Sequence, residues 1–347
     1  MDLNHKKILF ISASFFNYEK IIAEKLNALG AAVDFYDERP SNSAWVKGVI
    51  RVYSPLIQKK IDAYYREILK NTQSVSYDFF LLVKGEAVPF WFLTEFRKLH
   101  PQTQMIYISY DTVEEYPKTL KLKAYFDRSY SFEPADAVKY GFIFRPNFYL
   151  DTYKDRALKT NFDYDLVFIG SAHTDRYLCG EAVRKAMDDA NRKSLFYYYA
   201  PNRVFFFLKR IFDKTMQTFD ASKLSFKKLS HAEVAGIYDD SFAVLDINKP
   251  FQTGLSMRML DSLAAGKKVI TTNPDVVKYP FYNPKNILLI DRRTVEIPRS
   301  FFETGFDKMP DLFFEKCAIE SWIEAVFLNP PENYWDGVTE TYTSPSD

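Results

Sequence analysis

Gln252-Thr253-Gly254-Leu255-Ser256-Met257-Arg258-Met259-Leu260-Asp261-Ser262-Leu263-Ala264-Ala265-Gly266-Lys267-Lys268-Val269-Ile270-Thr271-Thr272-Asn273 is the most informative stretch of the chain. Gly254 permits a close backbone approach or a positive φ. Ser256 is suited to cap a helix beginning at Met257. Met257, Leu260 and Ala264 give that helix an apolar face, and Arg258 and Asp261, three apart, share another. Gly266 closes the helix and Lys268–Thr271 reads as a strand. The free N–H groups of the first helical turn favour a phosphate. A glycine–helix–glycine–strand unit also occurs in any doubly wound domain, where Arg258 and Asp261 would form a surface ion pair.

The same rhythm extends outward. Lys7–Ser12 is an apolar strand followed by Ser12-Ala13-Ser14-Phe15 and a helical stripe at Ile21, Ile22, Leu26 and Leu29, closed by Gly30. Residues 32–37, 78–84 and 105–110 continue as strands, with helices expected over 44–70 and 89–99. A second series begins at Tyr164: strands over 165–169, 194–199, 242–247, 268–271 and 286–290, with a helix over 174–190. Alternation of this kind implies parallel, doubly wound sheets. Pro146 lies in a segment of no clear period, which places a linker there. The expected organisation is two Rossmann-like α/β domains, 1–150 and 151–316, with a helix and tail over 317–347 packing back on the first. The carboxyl ends of both sheets would face a cleft.

The segment Asp261-Ser262-Leu263-Ala264-Ala265-Gly266-Lys267-Lys268-Val269-Ile270 resembles the nucleotide-sugar site of retaining GT-B glycosyltransferases, where a Glu-Ala-Met-Ala-x-Gly helix leads into a Pro-Val-Ile strand. Gln-x-Gly-Leu-Ser-x-Arg followed by Gly-Lys-Lys-x-Ile-Thr-Thr-Asn is similar to the CgeB-like branch and to lipopolysaccharide and capsule biosynthesis proteins. The resemblance gives the ribose hydroxyls to Asp261 and the diphosphate to the Gly254-Leu255-Ser256 turn. It also implies metal-independent transfer of a sugar to a glycan or lipid-linked acceptor in bacterial surface polysaccharide synthesis. The family's first acidic residue is replaced here by the Gln252-Thr253 region.

Other positions fit the same chemistry. Phe168-Ile169-Gly170-Ser171 ends a strand before a helix, a second place for backbone amides to meet phosphate. Arg176 is placed to reach a phosphate there, and His173 either contacts the sugar or caps the helix. Lys249 is either a counter-charge for the diphosphate or a solvated loop lysine. In the first half Glu86 and Asp111 each follow a strand directly, as a catalytic base must to approach an acceptor hydroxyl, or as a helix cap would.

Composition limits the alternatives. Lys and Arg number 46 against 45 Asp and Glu, a balance that argues against nucleic acid held by bulk charge. Cys179 and Cys317 have no metal-ligand spacing, and no full Gly-x-Gly-x-x-Gly points to a nicotinamide cofactor. No cofactor or metal is expected. No run approaches ~18 apolar residues, so the sequence predicts a cytoplasmic protein. Aromatic residues make up 17% of the chain, enough for large cores and also for a carbohydrate groove. Trp45-Val46-Lys47-Gly48-Val49-Ile50-Arg51-Val52-Tyr53, continuing to Lys59-Lys60, and the stretch 203–212 mix apolar bulk with basic residues. Each fits either an amphipathic helix packed on its own sheet or weak contact with the inner-membrane surface. Epimerisation of a nucleotide sugar, and a non-catalytic module that binds a nucleotide or sugar, are the competing functions.

Overall fold

The computed structural model describes residues 3–41, 54–156, 159–172, 175–203, 206–207, 210, 217–329 and 332–343. The chain divides into two compact units, Met1–Arg145 with Trp322–Asn333 and Tyr342–Asp347, and Pro146–Ser321 with Tyr334–Thr341.

In the first unit the order is β1 (Lys7–Ser12), α1 (Tyr18–Ala28), β2 (Ala32–Asp37), α2 (Gln58–Thr72), β3 (Phe79–Val83), α3 (Phe90–Leu99), β4 (Gln104–Ser109), α4 (Lys118–Lys123), β5 (Arg128–Ser131), α5 (Pro134–Tyr140) and β6 (Ile143–Phe144). The strands form one parallel sheet ordered β2-β1-β3-β4-β5-β6. β3, Phe-Phe-Leu-Leu-Val, is buried along its whole length, as a strand covered on both faces requires. Gly30 takes φ +91° after α1, where a side chain would strike Asn4. Aromatic rings fill the core: Tyr65 lies 4.8 Å from Phe92 and Phe80 4.8 Å from Phe96.

Residues 322–333 complete this unit. The Tyr130 hydroxyl donates to Ala325 O at 3.0 Å, Arg128 donates to Phe327 O at 2.8 Å, and Arg145 pairs with Glu332 at 2.9 Å.

The second unit runs β7 (Tyr164–Ser171), α6 (Arg176–Asp189), β8 (Ser194–Tyr199), β9 (Leu224–Ser225), α7 (His231–Asp239), β10 (Ser241–Asp246), α8 (Met257–Ala264), β11 (Lys268–Thr271), β12 (Ile287–Leu289) and α9 (Asp311–Lys316). Its parallel sheet is ordered β12-β11-β10-β7-β8-β9. The first strand therefore lies beside the fourth, and β7 and β10 form the topological switch point where doubly wound sheets take ligands.

The two doubly wound sheets expected from the sequence are present. β5, β6 and β9 were outside that expectation, because they are short and β5 alternates Arg128 and Ser129 with Tyr130 and Ser131. The helix expected over 44–70 is described only as α2 from Gln58, after a 3-10 turn at Ser54–Ile57. Residues 42–53, Lys47 and Arg51 among them, lie outside the described residues, as do Pro330 and Pro331. Lys59 and Lys60 are exposed on α2. Of the stretch 203–212, Phe206 is buried in the second unit's core, while Arg203 lies over the Phe226 ring. Among the described residues no helix is long and apolar enough to cross a membrane.

Candidate functional site

The site grows from the carboxyl ends of β7 and β10, paired at Leu166 with Ala243 and Val167 with Val244. β10 ends in Asp246, whose side chain is 1% exposed. Its Oδ1 accepts from the Ser256 hydroxyl at 2.7 Å and Arg258 Nη1 at 2.9 Å, and its Oδ2 from the Thr271 hydroxyl at 3.4 Å. Ser256 caps α8 as its position implies, accepting from the Met259 amide at 3.2 Å. Arg258 also donates from Nε to Ile169 O at 3.0 Å and lies over the Phe168 ring. A Cβ on residue 170 would stand 3.0 Å from Arg258 Nη2 and 2.7 Å from Phe168, so Gly170 is what lets the guanidinium reach the end of β7.

Two further arginines converge there. Arg176, the first residue of α6, donates from Nε to Ile247 O at 2.9 Å. Burial, with Arg258 beside it, lowers its pKa to about 9. Arg292, beyond β12, donates to Asp175 at 2.6 Å, to Asn248 Oδ1 at 2.8 Å, to Asn248 O at 3.2 Å and to the Thr272 hydroxyl at 3.3 Å. Three guanidinium groups thus meet Asp246 and Asp175, with Asp291 a further carboxylate beside Arg292. An anion with several acceptor oxygens is the natural complement.

The loop entering α8 is tied to itself. Gln252 N donates to Lys249 O at 3.0 Å, Asn248 Nδ2 to Gln252 O at 2.8 Å, and Gln252 Nε2 to Gly254 O at 2.9 Å. Asn273 Nδ2 bridges Thr253 O at 3.3 Å and Gly254 O at 3.2 Å. Gly254 is buried and does not take a positive φ. Leu255 is buried and its carbonyl accepts from Asn147 at 2.9 Å. Lys249 is half-buried at the head of the turn and Ser171 half-buried at the end of β7.

The structure therefore gathers Gly170, Ser171, Arg176, Ser256 and Arg258 around β7 and β10, with Lys249, Gln252, Thr253, Gly254 and Leu255 in the adjoining loop. Asp261 lies within α8, as expected. It is 3% exposed, and its Oδ1 accepts from the Leu150 amide at 3.0 Å, while Arg258 pairs with Asp246. His173 lies outside the described residues. Sequence reasoning missed Arg292 and Asn248 and gave Asp246 no role. An acidic residue closing a strand before the capped helix was the available signal; for Arg292, 34 residues beyond Arg258, there was none.

In the first unit, Glu86 pairs with Arg39, and Asp111 pairs with Lys84 at 2.9 Å. Glu38, fully buried at the end of β2, takes the Glu86 amide at 2.8 Å and lies 3.5 Å from Arg39. Burial raises the Glu38 carboxyl to about 7 against the pull of Arg39 and Lys84. Lys118, lowered to about 8 by burial, donates to Gly85, Glu86 and Val88 carbonyls. Among the described residues no group of three His, Cys, Asp or Glu side chains is placed to hold a metal.

No family model and no curated protein matches the sequence. Solved structures do match it. The chain is similar to sucrose-phosphate synthase from Thermosynechococcus elongatus, with 10% identity, 97% of each chain covered and a TM-score of 0.56. It is similar to Anabaena HepE in complex with UDP and glucose, at 11% identity over 94% of this chain and 100% of that one, with a TM-score of 0.55. OtsA matches over 96% of each chain at 10% identity and a TM-score of 0.52. At such identities the likeness is one of fold, and the chain has the two-domain α/β fold of the GT-B type.

Proposed function

We propose that this chain transfers a glycosyl group from a nucleotide-sugar donor to a glycan acceptor in bacterial surface polysaccharide synthesis, at the cytoplasmic face of the inner membrane. The observation that carries the reading is the meeting of Arg176, Arg258 and Arg292 at the β7–β10 switch point. In glycosyl transfer the bond from the sugar's anomeric carbon to the diphosphate breaks, and negative charge grows on the leaving oxygen. Fixed guanidinium groups in a confined site stabilise that charge. Arg258 Nε and Nη1 are held by Ile169 and Asp246, and Nη2 lies beside Gly170.

The arginines supply the counter-charge, so the proposed mechanism assigns no step to a metal or cofactor. The resemblance to lipopolysaccharide and capsule enzymes supports the acceptor class. A ribose contact from Asp261 requires its carboxylate to serve the Leu150 amide and the donor together. Glu86 and Asp111 stand as the proposed acceptor-side groups and His173 as a contact for the sugar or leaving group, and either carboxylate must leave its cation to act as a base.

Incubation with a panel of UDP-, GDP- and CMP-sugars tests the reading. Free nucleotide is expected from one donor class, undiminished by EDTA. Release abolished by EDTA and restored by Mg²⁺ would overturn the metal-free mechanism. An isomerised donor, or binding without turnover, would overturn glycosyl transfer itself.

A further inference from the structure

At the carboxyl ends of β2 and β3 one guanidinium lies between two carboxylates. Arg39 pairs with Glu86 and stands 3.5 Å from Glu38 Oε1, while Glu38 Oε2 accepts the Glu86 amide at 2.8 Å. Glu38 is 0% exposed and Arg39 5%, and Glu86 is the member of the three whose side chain reaches the surface, at 11%. Among the described residues Glu38 Oε1 and Arg39 Nε have no hydrogen-bond partner. Buried polar atoms are nearly always paired. Here the acid keeps a spare acceptor and the cation beside it a spare donor, and a small turn of Arg39 toward Glu38 converts the 3.5 Å contact into a hydrogen bond.

The backbone around these side chains is fixed. Lys84 and Gly85 both take left-handed backbone, φ 74° and 78°, and a Cβ on residue 85 would stand 2.8 Å from Leu122. Lys118 donates to the carbonyls of Gly85 at 3.2 Å, Glu86 at 3.0 Å and Val88 at 2.9 Å. The Tyr64 and Tyr65 hydroxyls donate to the carbonyls of Asp37 and Glu38, each at 2.7 Å. The charged groups around Glu38 are Asp37 and Arg39 on its own loop, Lys84 and Glu86 after β3, and Lys118 on α4. Tyr65 of α2, Tyr107 of β4 and Tyr116 before α4 also face it, and burial keeps all three un-ionised. Lys84 is taken by Asp111 at 2.9 Å and Lys118 by its three carbonyls, so Glu38 and Glu86 compete for Arg39.

We propose that Glu38 and Arg39 are positioning residues that latch Glu86: while Glu38 keeps its proton Arg39 stays on Glu86, and when Glu38 releases it Arg39 turns to Glu38 and frees the Glu86 carboxylate. The inference rests on the glycosyl-transfer reading for what Glu86 then does. It takes the proton of an acceptor hydroxyl, or of water, as that oxygen bonds to the anomeric carbon and the diphosphate leaves with the electron pair of the broken bond. Burial holds the Glu38 carboxyl at about 7 against the pull of Arg39 and Lys84, so the latch opens as pH rises through that value.

Two measurements on the full chain test it. The first, an infrared pH titration of the protonated-carboxyl band, needs no substrate. Wild type is expected to lose one buried carboxyl near pH 7, and Glu38→Gln to lack that step. Glu86→Gln, which leaves Arg39 to Glu38, should move the step down by about 1 unit or more. A step missing from wild type, retained in Glu38→Gln or unmoved in Glu86→Gln overturns the latch; should Glu38→Gln fail to fold, Glu86→Gln decides. The second is kcat for nucleotide release from whichever UDP-, GDP- or CMP-sugar the protein turns over. Wild type should gain about tenfold in kcat from one unit below the step to one unit above it. Glu38→Gln should stay low and flat, and Glu38→Asp should restore the rise. A rise that survives in Glu38→Gln overturns the control of Glu86. No turnover with any donor sinks the glycosyl-transfer reading instead, and the infrared titration still decides whether the two carboxylates share Arg39.

Discussion

Arg258→Lys is the most discriminating change in the second unit. Lysine keeps a cation beside Asp246, which also retains the Ser256 and Thr271 hydroxyls. It gives up the Nε bond to Ile169 O and the Nη2 group beside Gly170. The lost neutral hydrogen bond is worth about 1 kcal/mol and the weaker stacking over Phe168 roughly another 0.5. A unit of this size should therefore melt only a few degrees lower. If Nη2 holds the donor diphosphate, the loss of that charge-assisted bond costs about 1.5–3 kcal/mol, or roughly 10- to 150-fold in affinity. Arg258→Ala is a poorer probe, since an unpaired Asp246 would destabilise the fold by about 3–5 kcal/mol. Calorimetric titration of UDP, GDP and CDP into wild type and Arg258→Lys, with melting curves beside it, reads both quantities. Affinities within twofold of each other would refute the reasoning and leave Arg258 a strut between β7 and β10.

Three further outcomes are expected. Asp261→Ala strands the buried Leu150 amide and should lower stability by about 1–3 kcal/mol, and the ribose assignment adds a ten- to hundred-fold loss of nucleoside-diphosphate affinity; unchanged affinity in the folded variant would remove the ribose role. The Glu38 carboxyl titrates near 7 when folded against an ordinary 4.5, so its contribution to stability is full below about 4.5 and is lost as pH rises to about 7. Glu38→Gln should flatten that slope, by up to roughly 3 kcal/mol across the window in urea titrations, and a slope identical to wild type would contradict the assignment. Changing Lys47, Arg51, Lys59 and Lys60 to Glu should release the protein from anionic vesicles at low salt, since each such cation adds about 1 kcal/mol of surface attraction; wild-type protein that ignores the vesicles ends the membrane proposal.

The fold was legible where single strands carry their own signal. β1, β3 and β11 are short apolar runs closed by polar or small residues, and buried parallel strands must read that way. Ser256 and Gly266 were legible because capping and chain reversal are local: Ser256 receives the Met259 amide, and Gly266 takes φ 68°. β5 and β9 were hidden, being held by ladders to β4 and β8 rather than by any period of their own. The site's electrostatics were hidden for a related reason. Arg258 finds Asp246 twelve residues back across a turn, and Arg292 joins Asn248 only because β12 and β10 flank β11. The cations that hold Glu86 and Asp111 were hidden too, because Arg39 and Lys84 follow other strands of the sheet. The aromatic excess serves the cores first. The largest fully buried side chains, from Trp322 to Phe148, are all aromatic.

The position of a nucleoside diphosphate in a co-crystal tests the central claim most directly. The account predicts phosphate oxygens within hydrogen-bond distance of Arg258 Nη2, with Arg176 or Arg292 as a second cation, above the carboxyl ends of β7 and β10. A diphosphate bound elsewhere, with the three arginines still turned to Asp246, Ile247 and Asn248 and touching no phosphate, would contradict it.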